Sequence, residues 1–492
     1  MRPSRCLALL FVALLHSPVI VAAQTTPSDP PPASAPPPSP GPPPAEPAPP
    51  PVPSVPEPGS SLQVSPPVGP SHAERRIEEL EKRLRLLEEK SAGAHDASHD
   101  SKAMEKPAEK QGGQGVAVAY GPEGVAIASA DGKFQYHFRP NLQADARFFL
   151  NDGTNTFLLR RVRPTMEGTL FEFFDWRIMP ELTGTPRVLD AYANIRLFRE
   201  IQLRAGKFKS PVGYERLLNA FDLPFLERGM PDNLVPNRDI GLQIHGDVLG
   251  GTLIYALGVF NGANDGTSIN ADNNDKKDVA ARIMLHPLTP TFIEPLRKLG
   301  VGFAATRGTH TGDLPTYRTP VGTTFFQYSD GVTAGGTSRR IAPQLSYYFG
   351  PFGMFAEYVR STQIVVAPAL SQRLNHQAWQ VVGSFFITGE EASEGTVTPK
   401  KHLDPRRGGF GAIEVVARIG QLAIDGNAFD VGVADKTVSA RRATDWSVGA
   451  NWHLARNFKW MWNYEHTSFV AGAQGGDRTT EIVILSRFQA AY

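Results

Sequence analysis

From Gly124 to the C-terminus, hydrophobic and polar residues alternate in runs of about ten, broken by Gly, Asp, Asn and Pro. Arg161, Arg163, Thr165, Glu167 and Thr169 fall in one phase, and Val162, Pro164, Met166, Gly168 and Leu170 in the other. Successive side chains of a strand point to opposite faces, so this two-residue period predicts strands with one wet and one apolar side. The split recurs where Asp190, Tyr192, Asn194 and Arg196 alternate with Leu189, Ala191, Ala193, Ile195 and Leu197. It recurs again in Asp278, Ala280 and Arg282 against Val279, Ala281 and Ile283, and in Asp445, Ser447 and Asn451 against Trp446, Val448 and Ala450. A soluble sandwich alternates in the same way, so alternation alone does not decide the class.

Three further features favour an all-β, transmembrane antiparallel β-barrel over residues 124–492. Aromatic residues collect near strand ends (Phe171, Phe173, Phe174 and Trp176; Tyr347, Tyr348 and Phe349; Trp460, Trp462 and Tyr464), as interfacial girdles require. Tight turns predicted at Phe349-Gly350-Pro351-Phe352 and Arg418-Ile419-Gly420-Gln421 alternate with longer polar loops such as 262–275 and 389–408. The chain also ends in an amphipathic strand, Glu481 to Tyr492, with Ile482, Ile484, Phe488 and Tyr492 on one face. Closing so many strands into a cylinder removes their exposed edges. Roughly seventeen candidate runs are present. A barrel with both ends on one side of the membrane needs an even number, so the expectation is about 16 strands, wide enough for an aqueous pore.

The first 123 residues follow other rules. In 1–23, Arg2 and Arg5 precede the apolar run Cys6–Leu15, and Val21-Ala22-Ala23 offers a small-residue cleavage pattern, which reads as a signal peptide. Residues 24–70 are dominated by proline, a composition that favours an extended, disordered periplasmic arm reaching on the order of 100 Å. Over 71–90, a capping box (Ser71, Glu74) leads into Ala73, Ile77, Leu80, Leu84 and Leu87, the heptad spacing of a short coiled-coil helix. Fewer than three heptads are weak alone and need chains already brought together. Residues 91–123 read as a flexible polar linker, in which the His95 and His99 spacing is taken as chance and not as a metal site.

The net charge of +1 gives no argument for nucleic acid. Cys6 is the only cysteine, so the chain after Ala23 has neither disulfides nor a thiolate metal site. No cofactor, metal site or catalytic residue is expected: His245 and His453 fall at lumen positions without a recognisable nucleophile motif beside them, which argues against an enzyme.

Several stretches carry a family resemblance. They are Ser129-Ala130-Asp131-Gly132-Lys133-Phe134, Leu159-Arg160-Arg161-Val162-Arg163, Asp190-Ala191-Tyr192, and Gly206-Lys207-Phe208-Lys209-Ser210-Pro211-Val212-Gly213. Leu226-Glu227-Arg228, Pro236-Asn237-Arg238-Asp239-Ile240-Gly241, Val259-Phe260-Asn261-Gly262 and Thr388-Gly389-Glu390 continue the pattern. In this order they make segment 124–492 resemble the phosphate-selective porin O and P family of Gram-negative outer membranes. The resemblance implies a sixteen-stranded, trimeric barrel with a long loop folded into the lumen, and arginines and lysines that bind phosphate.

Segment 208–237 is the candidate loop, with Lys209, Glu215, Arg216, Glu227 and Arg228 as constriction residues and four prolines to stiffen it. Arg161, Arg163, Arg177, Arg204, Arg238 and Arg282 are the candidate pore-lining cations, and Arg418 and Arg487 share the lumen phase. Acidic residues at lumen phases, among them Glu167, Asp175, Glu181, Asp190, Asp278, Glu414 and Glu481, come close to matching the basic ones in number. The expected function is passive diffusion of small solutes or ions, anions such as phosphate among them, through an outer-membrane porin whose partners are lipid, two further copies in a homotrimer and the permeating solute. The alternative is a structural anchor that links the barrel to the cell wall through the N-terminal arm.

Overall fold

The computed structural model describes residues 115–272, 274–289 and 291–492. The signal, arm and coiled-coil expectations, and the linker up to residue 114, lie outside the described residues. β1 (Val116–Gly121) and β2 (Gly124–Ser129) form a hairpin that hands over to the barrel by pairing β2 with β3 (Phe134–Phe149). This corrects the linker boundary at 123. Val116, Val118 and Tyr120 alternate with Ala117, Ala119 and Gly121, and pairing with β2 satisfies their backbone groups.

From β3 the barrel continues through β4 (Thr156–Leu170), β5 (Phe174–Glu181), β6 (Arg187–Arg196) and β7 (Gln202–Lys209). After a long loop come β8 (Arg238–Val248), β9 (Leu253–Phe260), β10 (Asp278–Leu285) and β11 (Leu299–Gly312). The following loop holds a small hairpin, β12 (Tyr317–Arg318) with β13 (Thr324–Phe326). The wall resumes with β14 (Thr333–Phe349), β15 (Phe352–Ala367), β16 (Leu370–Phe386), β17 (Ala412–Ala423), β18 (Ala440–Ala455) and β19 (Phe458–Ala473). After the two-residue β20 (Gly476–Asp477), β21 (Glu481–Ala491) returns to β3, pairing from Val483↔Phe149 to Ala491↔Asn141. Sixteen antiparallel strands therefore close the cylinder, and no barrel strand keeps a free edge.

Burial is inverted relative to a soluble protein. On the outer face Phe303 is 50% exposed, Ile419 48% and Val448 46%, whereas Arg340, Arg418 and Arg487 point inward and are almost fully covered. An apolar outside and a polar inside on every strand is what lipid imposes. Phe303 lies within the outward apolar run Val301, Phe303 and Ala305 of β11. Phe303→Arg should therefore cost about 2–4 kcal/mol. Equilibrium unfolding from phospholipid bilayers measures this, and an unchanged midpoint would mean that the face does not meet lipid.

Most strand phases expected from alternation hold, but Leu189, expected on the outer face, lines the lumen beside Asp190 because the β5–β6 register shifts there, and two connections differ. Arg418–Gln421 is not a turn but part of β17. Gly420 serves close packing there, since a Cβ would stand 3.0 Å from Asp445 Oδ1 and 3.1 Å from the carbonyl oxygen of Trp379. The loop around 389–408 joins β16 to β17 at the same end as the Gly350-Pro351 turn and the C-terminus, where most connections are short. That end is the periplasmic one. Instead of projecting away, this loop folds against the lumen loop, with Thr396 Oγ1 donating to Asp222 Oδ1 at 2.8 Å and the Tyr214 hydroxyl donating to Glu394.

Candidate functional site

β7 ends at Lys209 and β8 starts at Arg238; the intervening segment folds into the barrel, as segment 208–237 predicted. A helical turn at Tyr214–Leu217 and a 3-10 turn at Met230–Leu234 shape it, while Leu223, Phe225, Leu226 and Met230 are at most 1% exposed. Such a loop has few internal partners for its backbone, so the wall supplies them. Lys459 Nζ donates to the carbonyl oxygen of Leu223 at 3.0 Å, Asn451 Nδ2 to that of Pro224 at 2.9 Å, and Arg418 Nη1 to that of Glu227 at 2.8 Å. Arg487 donates to the carbonyl oxygen of Leu226, whose own N–H donates to Asn463 Oδ1 at 2.9 Å. These donors sit on β17, β18, β19 and β21, so the loop is fastened to one side of the lumen. Gly229 permits the contact with β16, because a Cβ there would lie 1.9 Å from Gln380 Oε1.

Glu227 is the electrostatic centre of this attachment. Its carboxylate receives Arg160 Nε at 2.6 Å, Arg487 Nη2 at 2.9 Å, Arg147 Nη2 at 3.1 Å and Arg161 Nη2 at 3.3 Å. Burial pushes the Glu227 carboxyl up, but Arg160, Arg161 and Arg487 outweigh it and hold the group well below the usual carboxylate range. Arg160 and Arg161 reach the same carboxylate because of a β-bulge: Gln143 pairs with Arg161 and Ala144 with Leu159, which leaves Arg160 unpaired. Strict alternation would have sent Arg160 into lipid.

The remaining space lies along β3 to β8 and forms a cavity of about 940 Å³. Its lining extends from Tyr492 at the periplasmic end to Gly266 and Pro315 in loops at the other end. Twelve cationic side chains face it: Arg139, Arg160, Arg161 and Arg163 from β3 and β4; Arg177, Arg187, Arg204 and Lys209 from β5 to β7; and Arg216, Arg228, Arg238 and Arg318 from the loops and the start of β8. Four carboxylate side chains face it, those of Asp190, Glu227, Asp232 and Asp265. All four are engaged, Asp190 by Arg238 at 2.7 Å, Asp232 by Arg216 at 2.7 Å, and Asp265 by Arg340 at 2.6 Å. Arg204 is held over the rings of Tyr192 and Phe208, with its guanidinium carbon 4.6 and 5.5 Å from their centroids. Lys209 Nζ donates to the carbonyl oxygens of Leu217 and Leu218. Among the described residues neither Arg204 nor Lys209 has a carboxylate at ion-pair distance. Arg161, Arg177, Arg204 and Arg216 each retain a buried Nε without a hydrogen-bond partner.

Of the residues singled out from sequence, Arg161, Arg163, Arg177, Arg204, Lys209, Arg216, Glu227, Arg228 and Arg238 meet at this cavity. Glu215, Arg282, Arg418 and Arg487 do not, the last two being fasteners of the loop. Glu215 turns into the filled half, where it accepts from Gly229 N–H and Gln380 Nε2, both at 2.8 Å, and burial pushes its carboxyl up. Arg282 Nε donates to Gln344 Oε1 at 3.1 Å on the far wall. Arg139, Arg160, Arg187 and Arg318 line the cavity without having been singled out. The phase of Arg139 relative to Asn141 and Gln143 could have revealed it; the bulge hid Arg160, and the fold of the loop hid Arg318. His245 Nε2 bonds Asn194 Oδ1 at 2.8 Å and His453 Nε2 bonds Glu414 Oε2 at 3.2 Å, so both serve polar networks of the wall.

A closed cylinder with a lipid-facing apolar band and a charged lumen narrowed by its own loop is an outer-membrane porin. The chain belongs to the phosphate-selective porin O and P family, whose model matches residues 130–489. No curated protein matches the sequence. Solved structures that it resembles include the outer-membrane channel DcaP of Acinetobacter baumannii, at 9% identity and a TM-score of 0.49, covering 74% of this chain and 99% of that one. An anion-selective porin of Comamonas acidovorans gives 11% identity and a TM-score of 0.46, covering 73% and 100%. OmpT of Vibrio cholerae gives 10% identity and a TM-score of 0.47, covering 73% and 98%.

Proposed function

We propose that this porin passes small anions, phosphate among them, by passive diffusion along the cationic side of its lumen. The observation that carries the reading is the imbalance at the cavity, where twelve cationic side chains face four carboxylates that are already engaged. In a water-filled channel such an excess lowers the energy of an entering anion and raises that of a cation. Guanidinium groups with free N–H donors also match phosphate oxygens in geometry. Arg161, Arg163, Arg177, Arg204, Lys209, Arg216, Arg228 and Arg238 act as lining groups, and Glu227 acts as the fastener of the loop. The protein works by letting solutes through, without catalysis.

Planar-bilayer recordings in a KCl gradient should give a reversal potential on the chloride side, and millimolar phosphate should lower the chloride current. A cation-selective reversal potential would end the anion reading; an anionic one without phosphate block would remove phosphate alone. On the same reading the protein assembles as a homotrimer, residues 1–23 are removed on export, and the arm from residue 24 up to the β1–β2 hairpin extends into the periplasm, with cell-wall contact as its role. Mass measurement of the detergent-solubilised oligomer tests the trimer.

A further inference from the structure

The lipid-facing surface carries a group of arginines that the pore does not use. Arg307 on β11, Arg339 on β14, Arg360 on β15 and Arg373 on β16 all occupy outward phases and are exposed. Arg307 stands directly opposite Arg339 in the ladder. Arg360 pairs with Ile341, two residues from Arg339 along the same face, and so is its diagonal neighbour. Like charges directly opposite one another on a sheet are destabilising. Nothing on these strands relieves them: β11, β14 and β16 contain no Asp or Glu, and the single acid of β15, Glu357, points inward and is 5% exposed. Among the described residues, none of the four has a carboxylate within ion-pair distance, and Arg360 is held only by Asn375 Oδ1 at 3.1 Å.

Their height along the strands identifies the occupant. Counted from the periplasmic end, Arg307 is the ninth residue of β11, Arg339 the eleventh of β14 and Arg360 the ninth of β15. A strand crosses the hydrocarbon core in about 9–11 residues, so these guanidiniums sit where the outer leaflet passes from acyl chain to headgroup. Below them the same faces are apolar, with Val301, Phe303, Ile341, Pro343 and Ala356. Thr309, Thr337 and Thr362 surround them with hydroxyls. A row of guanidiniums at that level, lacking acidic partners and continuous with an apolar surface, suits a molecule with acyl chains below and phosphate groups above.

We propose that the outer face of β11, β14, β15 and β16 binds the phosphorylated headgroup of an outer-leaflet glycolipid, with Arg307, Arg339 and Arg360 as its phosphate ligands. The phosphates offset the repulsion between Arg307 and Arg339, so the lipid also stabilises this part of the wall. The occupant is a lipid and not a second copy of the chain, because the face below the arginines is the same lipid-facing band that surrounds the barrel.

The test uses the purified full-length porin in zwitterionic detergent, with bisphosphorylated lipid A and its dephosphorylated form as probes and native mass spectrometry as readout. The wild-type protein should bind the bisphosphorylated form at least tenfold more tightly. The variant carrying Arg307→Gln, Arg339→Gln and Arg360→Gln should lose that preference while its single-channel conductance stays unchanged, which shows that the barrel is intact. Equal binding of both lipids by the wild type, or an undiminished preference in the variant, would overturn the proposal. Dissociation of the oligomer in the variant, with its lipid preference intact, would overturn it as well and assign the face to a second copy. Should the triple variant not fold, Arg360→Gln alone is measured, with a threefold or greater loss expected and no loss refuting the assignment.

Discussion

Glu227→Gln should release the lumen loop and give a larger, noisier conductance together with a clear loss of stability. Four guanidiniums converge on this one carboxylate within 3.3 Å, and it is 6% exposed. Arg487 keeps a bidentate partner in Asp145, at 2.6 and 2.8 Å, but Arg160 and Arg161 have no second carboxylate at ion-pair distance. Breaking a buried ion pair from one side costs on the order of 3–5 kcal/mol, because the charges left behind remain desolvated. The amide is close to the carboxylate in shape, so the cost is electrostatic. Single-channel recording and denaturant unfolding in detergent measure both effects, and wild-type values for both would remove Glu227 from its fastening role. The pH dependence follows from the same group. A carboxyl whose folded-state pKa is depressed contributes stability above its unfolded value of about 4.3, and loses it as pH falls through the depressed folded value. Glu227 is held well below that range, so the loop should stay fastened from pH 7 down to pH 5. A conductance increase above pH 5 would contradict the arrangement.

Alternation reports whether a side chain faces lipid or lumen, and at Arg161, Arg163, Asp190, Asp278 and Asp445 it did so correctly. It carries no information about which wall of the cylinder a residue joins. Counting charges by phase therefore gives near parity and does not show which acids are covered by partners: Glu167 and Glu181 lie among the arginines of β4 and β5, held by Arg139 at 3.2 Å and by Arg163 at 2.8 Å. Glu357, Glu414, Asp445 and Glu465 stand on β15 to β19, where Arg418 pairs with Asp445 at 3.0 Å and the loop is anchored, while the cavity wall on β3 to β7 carries mostly arginine. Which charges reach the cavity depends on barrel closure, a non-local event. Arg160 was illegible for a different reason: one extra residue reverses the phase, and no local signal marks the bulge. The turn expected at Arg418–Gln421 rested on Gly420, where glycine answers to side-chain crowding across strands and not to a change of direction. The loop at 389–408 was readable by its length but not by its side, which follows from counting strands from a closed end.

Replacing Arg204 and Lys209 together by glutamine should remove most of the anion preference while leaving the barrel nearly as stable as before. Both face the cavity without a carboxylate partner, so neither substitution strands a buried counter-charge. The loss of Arg204 from its two rings costs about 0.5–1 kcal/mol. The effect on passing ions is larger. At 4–8 Å in water-filled space, a unit charge changes an ion's energy by about 0.5–1 kcal/mol, with opposite signs for anion and cation. Two removals therefore shift the anion-to-cation permeability ratio by on the order of tenfold or more. Arg238→Gln makes the useful contrast. It subtracts one charge but also takes from Asp190 its closest partner, the Nε at 2.7 Å, and leaves only Arg177 Nε at 4.0 Å, so a change in selectivity there should come with a lower unfolding midpoint. Reversal potentials and unfolding curves for the double variant and for Arg238→Gln separate field from framework. A double variant that kept the wild-type reversal potential would place the selectivity on other groups of the lumen, Arg187 and Arg318 being, among the described residues, the other cavity cations without a carboxylate at ion-pair distance.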